Sequence, residues 1–204
     1  MYKNKSVIQI GSHVGNTSND PIFNEIDETT KIILVEPVPY LFKKLIINYQ
    51  TKLKNLTNVL FINKAVSDFV GTINLTIPSE RNDFSQLPSW ATQLASVNSN
   101  HATGHINHLL VDTINVETIT IDEIIKQNNI TEIELLHTDT EGHDYTILMN
   151  YSFIIKPKNI LFEHKHMDGL CMVGNKYIEL SNKLFLLGYD KIFQKEEDSM
   201  FTLS

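Results

Sequence analysis

Short apolar runs, each closed by glycine, proline or an acid, recur along this chain, and the stretches between them carry helical periodicity or turn residues. The clearest run is Lys31 to Glu36 (KIILVE), followed at once by Pro37 and Pro39. An unbroken apolar run of that length suits a parallel strand covered on both faces, and the prolines oblige the chain to turn. Ser6 to Ile10 (SVIQI), Val59 to Ile62 (VLFI), Glu134 to His137 (ELLH) and Asn159 to Glu163 (NILFE) read as further strands, as do Gly71 to Ile77 (GTINLTI), with two-residue alternation, and Val116 to Ile121 (VETITI). Helices are expected from Gly15 to about Asp27, over Tyr40 to Tyr49, over Asp122 to Gln127, from about His143, and from Asn175 to Leu187, where Gly188 stops the last one. Strands alternating with helices imply an α/β domain with a mostly parallel sheet. The last stretch, Asp190 to Gln194, then KEEDS, then Met200 to Leu203, reads as an antiparallel hairpin completing that sheet.

A chain of 204 residues is expected to form a single domain over 1–204, large enough to bury a core without staples. One segment breaks the pattern. From about Ser79 to Asn115 the residues are mostly Ser, Asn, Asp, His and Gln, with Pro88 and Gly104 inside and no sustained period, so a lid or ligand-binding insertion is expected at 79–115. The net charge of -7 and scattered lysines, with Arg81 the only arginine, argue against a nucleic-acid partner, whose phosphates need clustered cations. The single Cys171 suits a reducing compartment, no apolar run approaches the ~20 residues of a membrane span, and the first residues lead directly into a strand. The expectation is a soluble cytoplasmic protein.

Between the first run and the next lies Gly11-Ser12-His13-Val14-Gly15-Asn16, and Glu36-Pro37 closes the second run 25 positions after Gly11. Glycines let a backbone turn sharply against a ligand, and an acid at the end of the neighbouring strand can accept both hydroxyls of a ribose. A dinucleotide fingerprint wants glycine where His13 stands, because a pyrophosphate needs close backbone approach. A nucleoside carrying an amino-acid tail in place of phosphates fits better, and S-adenosylmethionine has that form.

In order along the chain, IQIGSHVGN (Ile8 to Asn16), ILVEPVPYLFKKL (Ile33 to Leu45), NKAVSD (Asn63 to Asp68) with GTINL (Gly71 to Leu75), VETITIDEII (Val116 to Ile125), IELLHTDTEGHDYTIL (Ile133 to Leu148) and ILFEHKH (Ile160 to His166) together resemble the FkbM-type class I methyltransferases. The most specific piece is Asp139-Thr140-Glu141-Gly142, similar to the family's Asp-x-Glu-Gly block. The resemblance implies a Rossmann-like class I methyltransferase fold with a seven-stranded sheet, S-adenosylmethionine as cofactor, and O-methylation, often of sugar or polyketide hydroxyls. It implies a cofactor site at Gly11, Ser12, His13, Gly15, Asn16, Glu36, Pro37, Ala65, Val66 and Asp139. Gln9 stands where many such enzymes carry, in the first strand, an acid for the cofactor's amino group. Ala65 stands where many carry an acid after the third strand, so backbone groups and packing are expected to hold adenine there; His137 stands in place of the usual lysine before Asp139.

Methyl transfer to a hydroxyl needs alignment and a proton acceptor. Asp139, Glu141 and His164, at the ends of neighbouring expected strands, are the candidate catalytic residues; helix capping and the helix dipole are the competing roles for the two acids. Asp139, Glu141, Glu163 and His164 are also a candidate set for Mg²⁺ or Mn²⁺. Trp90, Glu163 and His166 are candidates for binding the acceptor, a small molecule or glycan, since an indole face packs on the C–H face of a sugar. His101, His105 and His108 share a helical face, but Gly104 interrupts it and no carboxylate accompanies them, so no metal is expected there. His143 is expected to be solvated, and Cys171 inert. The expected function is S-adenosylmethionine-dependent methylation of a sugar or glycan hydroxyl. The alternatives are a non-sugar acceptor and a non-catalytic nucleoside-binding module, for which Gln9 and Ala65 are the hints.

Overall fold

The apolar runs do become strands. The computed structural model describes residues 2–204. Its principal sheet contains β1 (Ser6–Ile10), β2 (Lys31–Val35) and β3 (Val59–Ile62); a small sheet contains β4 (Ala65–Val66), β5 (Gly71–Pro78) and β6 (Val111–Ile119). The principal sheet continues with β7 (Leu135–Thr138), β8 (Asn159–Glu163), β9 (Tyr189–Gln194) and β10 (Asp198–Leu203), in the spatial order β3-β2-β1-β7-β8-β10-β9. The first five of these pair in parallel, and β10 runs antiparallel between β8 and β9. Strand order reverses between β1 and β7. At such a switch point the crossovers leave in opposite directions and open a crevice beyond the carboxyl ends of the strands.

Period-two alternation sends β1 and β2 into two different cores. Val7, Ile32 and Leu34 pack with Leu45 and Tyr49 of α1 (Pro39–Lys52). Ile8, Ile10, Ile33 and Val35 face α3 (Ile121–Gln127), α4 (Asp144–Asn150) and α5 (Asn175–Leu186) through Ile124, Leu148, Leu180 and Leu184. Each such fully buried side chain contributes roughly 1.5–3 kcal/mol relative to exposure, which fixes strand register and therefore the positions of the strand ends. No helix among the described residues is long and apolar enough to cross a membrane.

Two segments differ from expectation. No α-helix follows Gly15: the first crossover is a run of turns with one 3-10 turn at Phe23–Glu25. Asp20 is the cause. Its Oδ1 accepts the amides of Ile22 and Phe23 at 2.8 and 2.6 Å, an Asx turn at Asp20-Pro21 that competes with a helical ladder. The polar segment after β5, in turn, is folded. It leaves at Pro78 and returns at Val111, which pair across the β5–β6 hairpin, and carries 3-10 turns at Phe84–Gln86 and Ser89–Gln93 and a one-turn helix, α2 (His101–His105). Ala91, Leu94, Ala102, Ile106 and Leu109 form its own small core. No period betrays it, because each element is too short to repeat one.

Candidate active site

Gly11 follows β1 directly against the end of β7, where Asp139 donates its amide to the Ile10 carbonyl at 3.0 Å. A Cβ at Gly11 would fall 1.8 Å from the Asp139 carbonyl oxygen, and φ is +76°, so only glycine fits. The next turn is held by Glu36, just past β2. Its Oε2 accepts the His13 amide and its Oε1 the Val38 amide, each at 2.8 Å, with 4% of the residue exposed. Burial pushes the Glu36 carboxyl up to about 7 in spite of those two donors. The carboxylate thus pins the glycine loop and the start of α1 while lining a cleft with free lone pairs.

Of the residues expected to hold a cofactor, Gly11, His13, Glu36, Pro37, Ala65, Val66 and Asp139 line that cleft. Ser12, Gly15 and Asn16 shape the loop from behind. Ser12 donates to the Gln9 carbonyl, Gly15 packs on Leu45 and Tyr49, and Asn16 accepts from Asn48. Gln9 donates to Asp20 at 2.7 Å, which brings an acid beside the first strand from the crossover. Leu75, Gln93, Ala95 and Val97 complete the wall, brought in by β5 and the insertion, and the insertion is tied to the glycine loop by His13 Nε2 and Thr92 Oγ1 at 3.1 Å. Nothing in their spacing marks these residues. His143 is not solvated: it lines the cleft, its Nε2 3.0 Å from Ser67 Oγ.

After β7 the chain makes a tight turn through Glu141 (φ +52°) and Gly142 (φ +95°), and a Cβ at Gly142 would lie 2.7 Å from the His166 carbonyl oxygen. Asp144 holds the turn by accepting from the Thr140 amide and hydroxyl. Since α4 begins only at Asp144, with His143 as its cap residue, Asp139 and Glu141 serve neither as cap nor as first-turn acid. Asp139 opens into the cleft. Burial, then Glu141 and Asp144, drive its carboxyl well above the usual range. Glu163 behaves alike, from burial and then Asp139 and Glu141; its Oε1 lies 3.4 Å from His166 Nε2, and its Oε2 is buried without a partner.

A second cleft adjoins the first, lined by Trp90, His105, Glu163 and His166 and sharing Gln93 and Glu141 with it. The three residues expected to bind an acceptor therefore meet in one place. His164 does not join them. Consecutive residues of an extended chain face opposite ways, so as Glu163 enters the cleft His164 turns to Ser199 Oγ (3.1 Å) and the Tyr177 ring. Of the expected metal set, Asp139 and Glu141 lie near enough to Glu163 to raise its carboxyl, but the three acids form no ligand cluster among the described residues, and alternation excludes His164. The convergent imidazoles are His101, His105 and His166, and His101 has a carboxylate after all: Glu141 Oε2, 2.6 Å from its Nε2. His108 is exposed and outside the group.

The sequence matches the methyltransferase FkbM domain over residues 9–189. The chain belongs to that family. Among solved structures it resembles the methyltransferase FkbM of Methylobacillus flagellatus KT, with a TM-score of 0.57 and 10% identity over 99% of this chain and 44% of that one. A protein of Staphylococcus aureus described as a candidate caffeoyl-CoA O-methyltransferase superimposes with a TM-score of 0.50 and 10% identity, covering 98% and 76% of the two chains. The chain thus spans less than half the length of the Methylobacillus FkbM structure. Identities this low speak for fold alone, and the fold is that of the class I methyltransferases. No curated protein matches the sequence.

Proposed function

We propose that this FkbM-family chain is an S-adenosylmethionine-dependent O-methyltransferase acting on a hydroxyl of a sugar or glycan. The observation that carries the reading is the meeting of two unlike clefts at Glu141: one largely apolar-walled, with the carboxyls of Glu36 and Asp139 set in it, the other lined by acids, imidazoles and an indole.

The residues present suit the cofactor. Glu36 offers a ribose two carboxylate oxygens already oriented by backbone amides, Val66 and Leu75 give apolar walls for adenine, and Gly11 admits close backbone approach. When bound, S-adenosylmethionine supplies a methyl group on a sulfonium, so what the protein must add is an aligned oxygen and a destination for its proton. Asp139, which lines the first cleft two residues before the shared Glu141, takes that proton. Its raised pKa makes it a stronger base, once ionised, than an exposed aspartate. Glu163 binds a neighbouring hydroxyl, His166 lines the same cleft, and Trp90, 41% exposed, offers its face to the sugar ring. The insertion, placed over both clefts by Gln93 and Trp90, covers the acceptor and excludes water.

The test is a mass-shift screen with S-adenosylmethionine against glycosides, phenols, amines and carboxylic acids. Transfer to glycosides is the expected result. Transfer only to another class would replace the acceptor proposed here, and cofactor binding without transfer to any class would favour a nucleoside-binding module.

A further inference from the structure

His101 and His105 stand four residues apart on α2, and the insertion lays that turn against Glu141 after β7 and His166 after β8. The three imidazoles form a nearly equilateral triangle, with centroid separations of 4.8, 4.7 and 5.0 Å and planes inclined at 67°, 90° and 83°. One ligand atom from each, with a carboxylate oxygen of Glu141, all lie within 4.8 Å of one another. Imidazoles bound through nitrogen at ~2.0–2.1 Å to a common ion have centroids about 4.5 Å apart at right angles and about 5.2 Å apart at tetrahedral angles. The observed triangle falls between those limits. In addition, His105 Nε2 is buried with no hydrogen-bond partner. Three imidazoles turned toward one point beside a carboxylate, one nitrogen unsatisfied, have the form of an unloaded ligand set.

We propose that His101, His105 and Glu141, with His166 as the fourth ligand, bind a divalent transition-metal ion of the Zn²⁺ type. Imidazole-rich sets with one carboxylate favour such ions over Mg²⁺ or Ca²⁺, which take oxygen. The proposal shares only Glu141 with the oxygen-rich set expected from the sequence, and it rests on these side chains whatever the acceptor is. The first three ligands need little rearrangement: the proton between His101 Nε2 and Glu141 Oε2 leaves as the ion enters. His166 needs more. Its Nδ1 accepts the Cys171 amide at 3.0 Å, so its Nε2 carries the proton and points it at Glu163 and Glu141. Loading it moves the proton to Nδ1 and turns that amide away, a change confined to the exposed Cys171 turn. Since Glu141, His105 and His166 line the second cleft, the ion faces it and retains a position for an oxygen ligand.

The test uses the whole chain, stripped with chelator and titrated with Co²⁺, whose visible absorption reports coordination, then with Zn²⁺. One equivalent of Co²⁺ should bind, give the intense bands of a four- or five-coordinate site, and be displaced by Zn²⁺. His105→Ala should weaken uptake by more than the roughly 10–100-fold that loss of an outer-shell partner costs. A His101→Ala/His105→Ala double variant should take up none, while His108→Ala binds like the unmodified chain. Absence of stoichiometric uptake by the unmodified chain, the weak spectrum of an all-water octahedral ion, or unchanged uptake by His105→Ala would each overturn the proposal. The first two hold even if the double variant does not fold.

Discussion

Glu36 has two tasks at once, holding the amides of His13 and Val38 and presenting its carboxylate to the cleft, and the cost of that burial is what makes it measurable. Its pKa of about 7 in the free protein should fall when ribose hydroxyls donate to it, because donors favour the charged form. The complex then holds fewer protons than the free protein, so affinity for S-adenosylmethionine rises with pH. Calorimetry below pH 7 should show tightening with rising pH of at most about tenfold per unit, levelling above 7, and Glu36→Gln should flatten the profile. Asp139 is tested at the same scale. Its raised pKa means that the fold disfavours its charge, so the stability due to its proton is present below the usual carboxylate range and lost as pH rises through the raised value. Asp139→Asn should therefore melt no lower than the unmodified chain at pH 8, yet lose about 100-fold or more in turnover with little effect on cofactor affinity. Early melting with normal turnover would make the residue structural. The Gly11–Glu36 relation was legible in the sequence because parallel neighbours carry fixed residues to adjacent strand ends. The pairing of His101 with Glu141 was not, since they lie 40 residues apart and His101 sits on a single helical turn of the aperiodic insertion, which only folding brings to the end of β7.

Among the elements, the strands were legible and the crossovers less so, for a physical reason. A buried strand must be apolar through its middle, as at Ile32 to Val35 of β2 and Ile160 to Phe162 of β8, whereas a crossover can be met by a helix or by anchored turns of similar composition. Asp20 decides between these after β1, with hydrogen bonds to amides two and three residues on, and Ile22 and Ile26 still reach the core without a helix. Likewise His164 was assigned to the cleft with Glu163 because both end the same run, though alternation sends them apart. The insertion offers the test at this scale. Trp90 packs edge-on against His105 with ring centroids 5.9 Å apart and remains 41% exposed, so it is no part of the insertion's buried core. Trp90→Ala should leave the melting temperature nearly unchanged and cofactor binding intact, while raising the acceptor's KM about tenfold, the ~0.5–1.5 kcal/mol of an aromatic face contact plus lost burial. A variant that unfolds would return the tryptophan to a purely structural role.

At the scale of the molecule, one end of one sheet gathers the unusual chemistry. Strand order reverses between β1 and β7, and there the carboxyls of Glu36, Asp139, Glu141 and Glu163 are all raised while His13, His101 and His166 are lowered to about 4, 4 and 3, burial being the leading cause throughout. Groups that burial neutralises in this way are poised to gain charge or a ligand when a partner arrives, and their concentration in two adjoining clefts is the property that the rest of the fold, with its two packed cores, holds in place. The most direct test is calorimetric titration of S-adenosylmethionine into the unmodified chain and into Glu36→Gln at pH 7.5, with NADH as comparator. One site for S-adenosylmethionine is expected, weakened about 10–100-fold in the variant by loss of one charge-assisted pair, with no comparable binding of NADH. Equal affinity in the two proteins, or binding of NADH where S-adenosylmethionine does not bind, would contradict it.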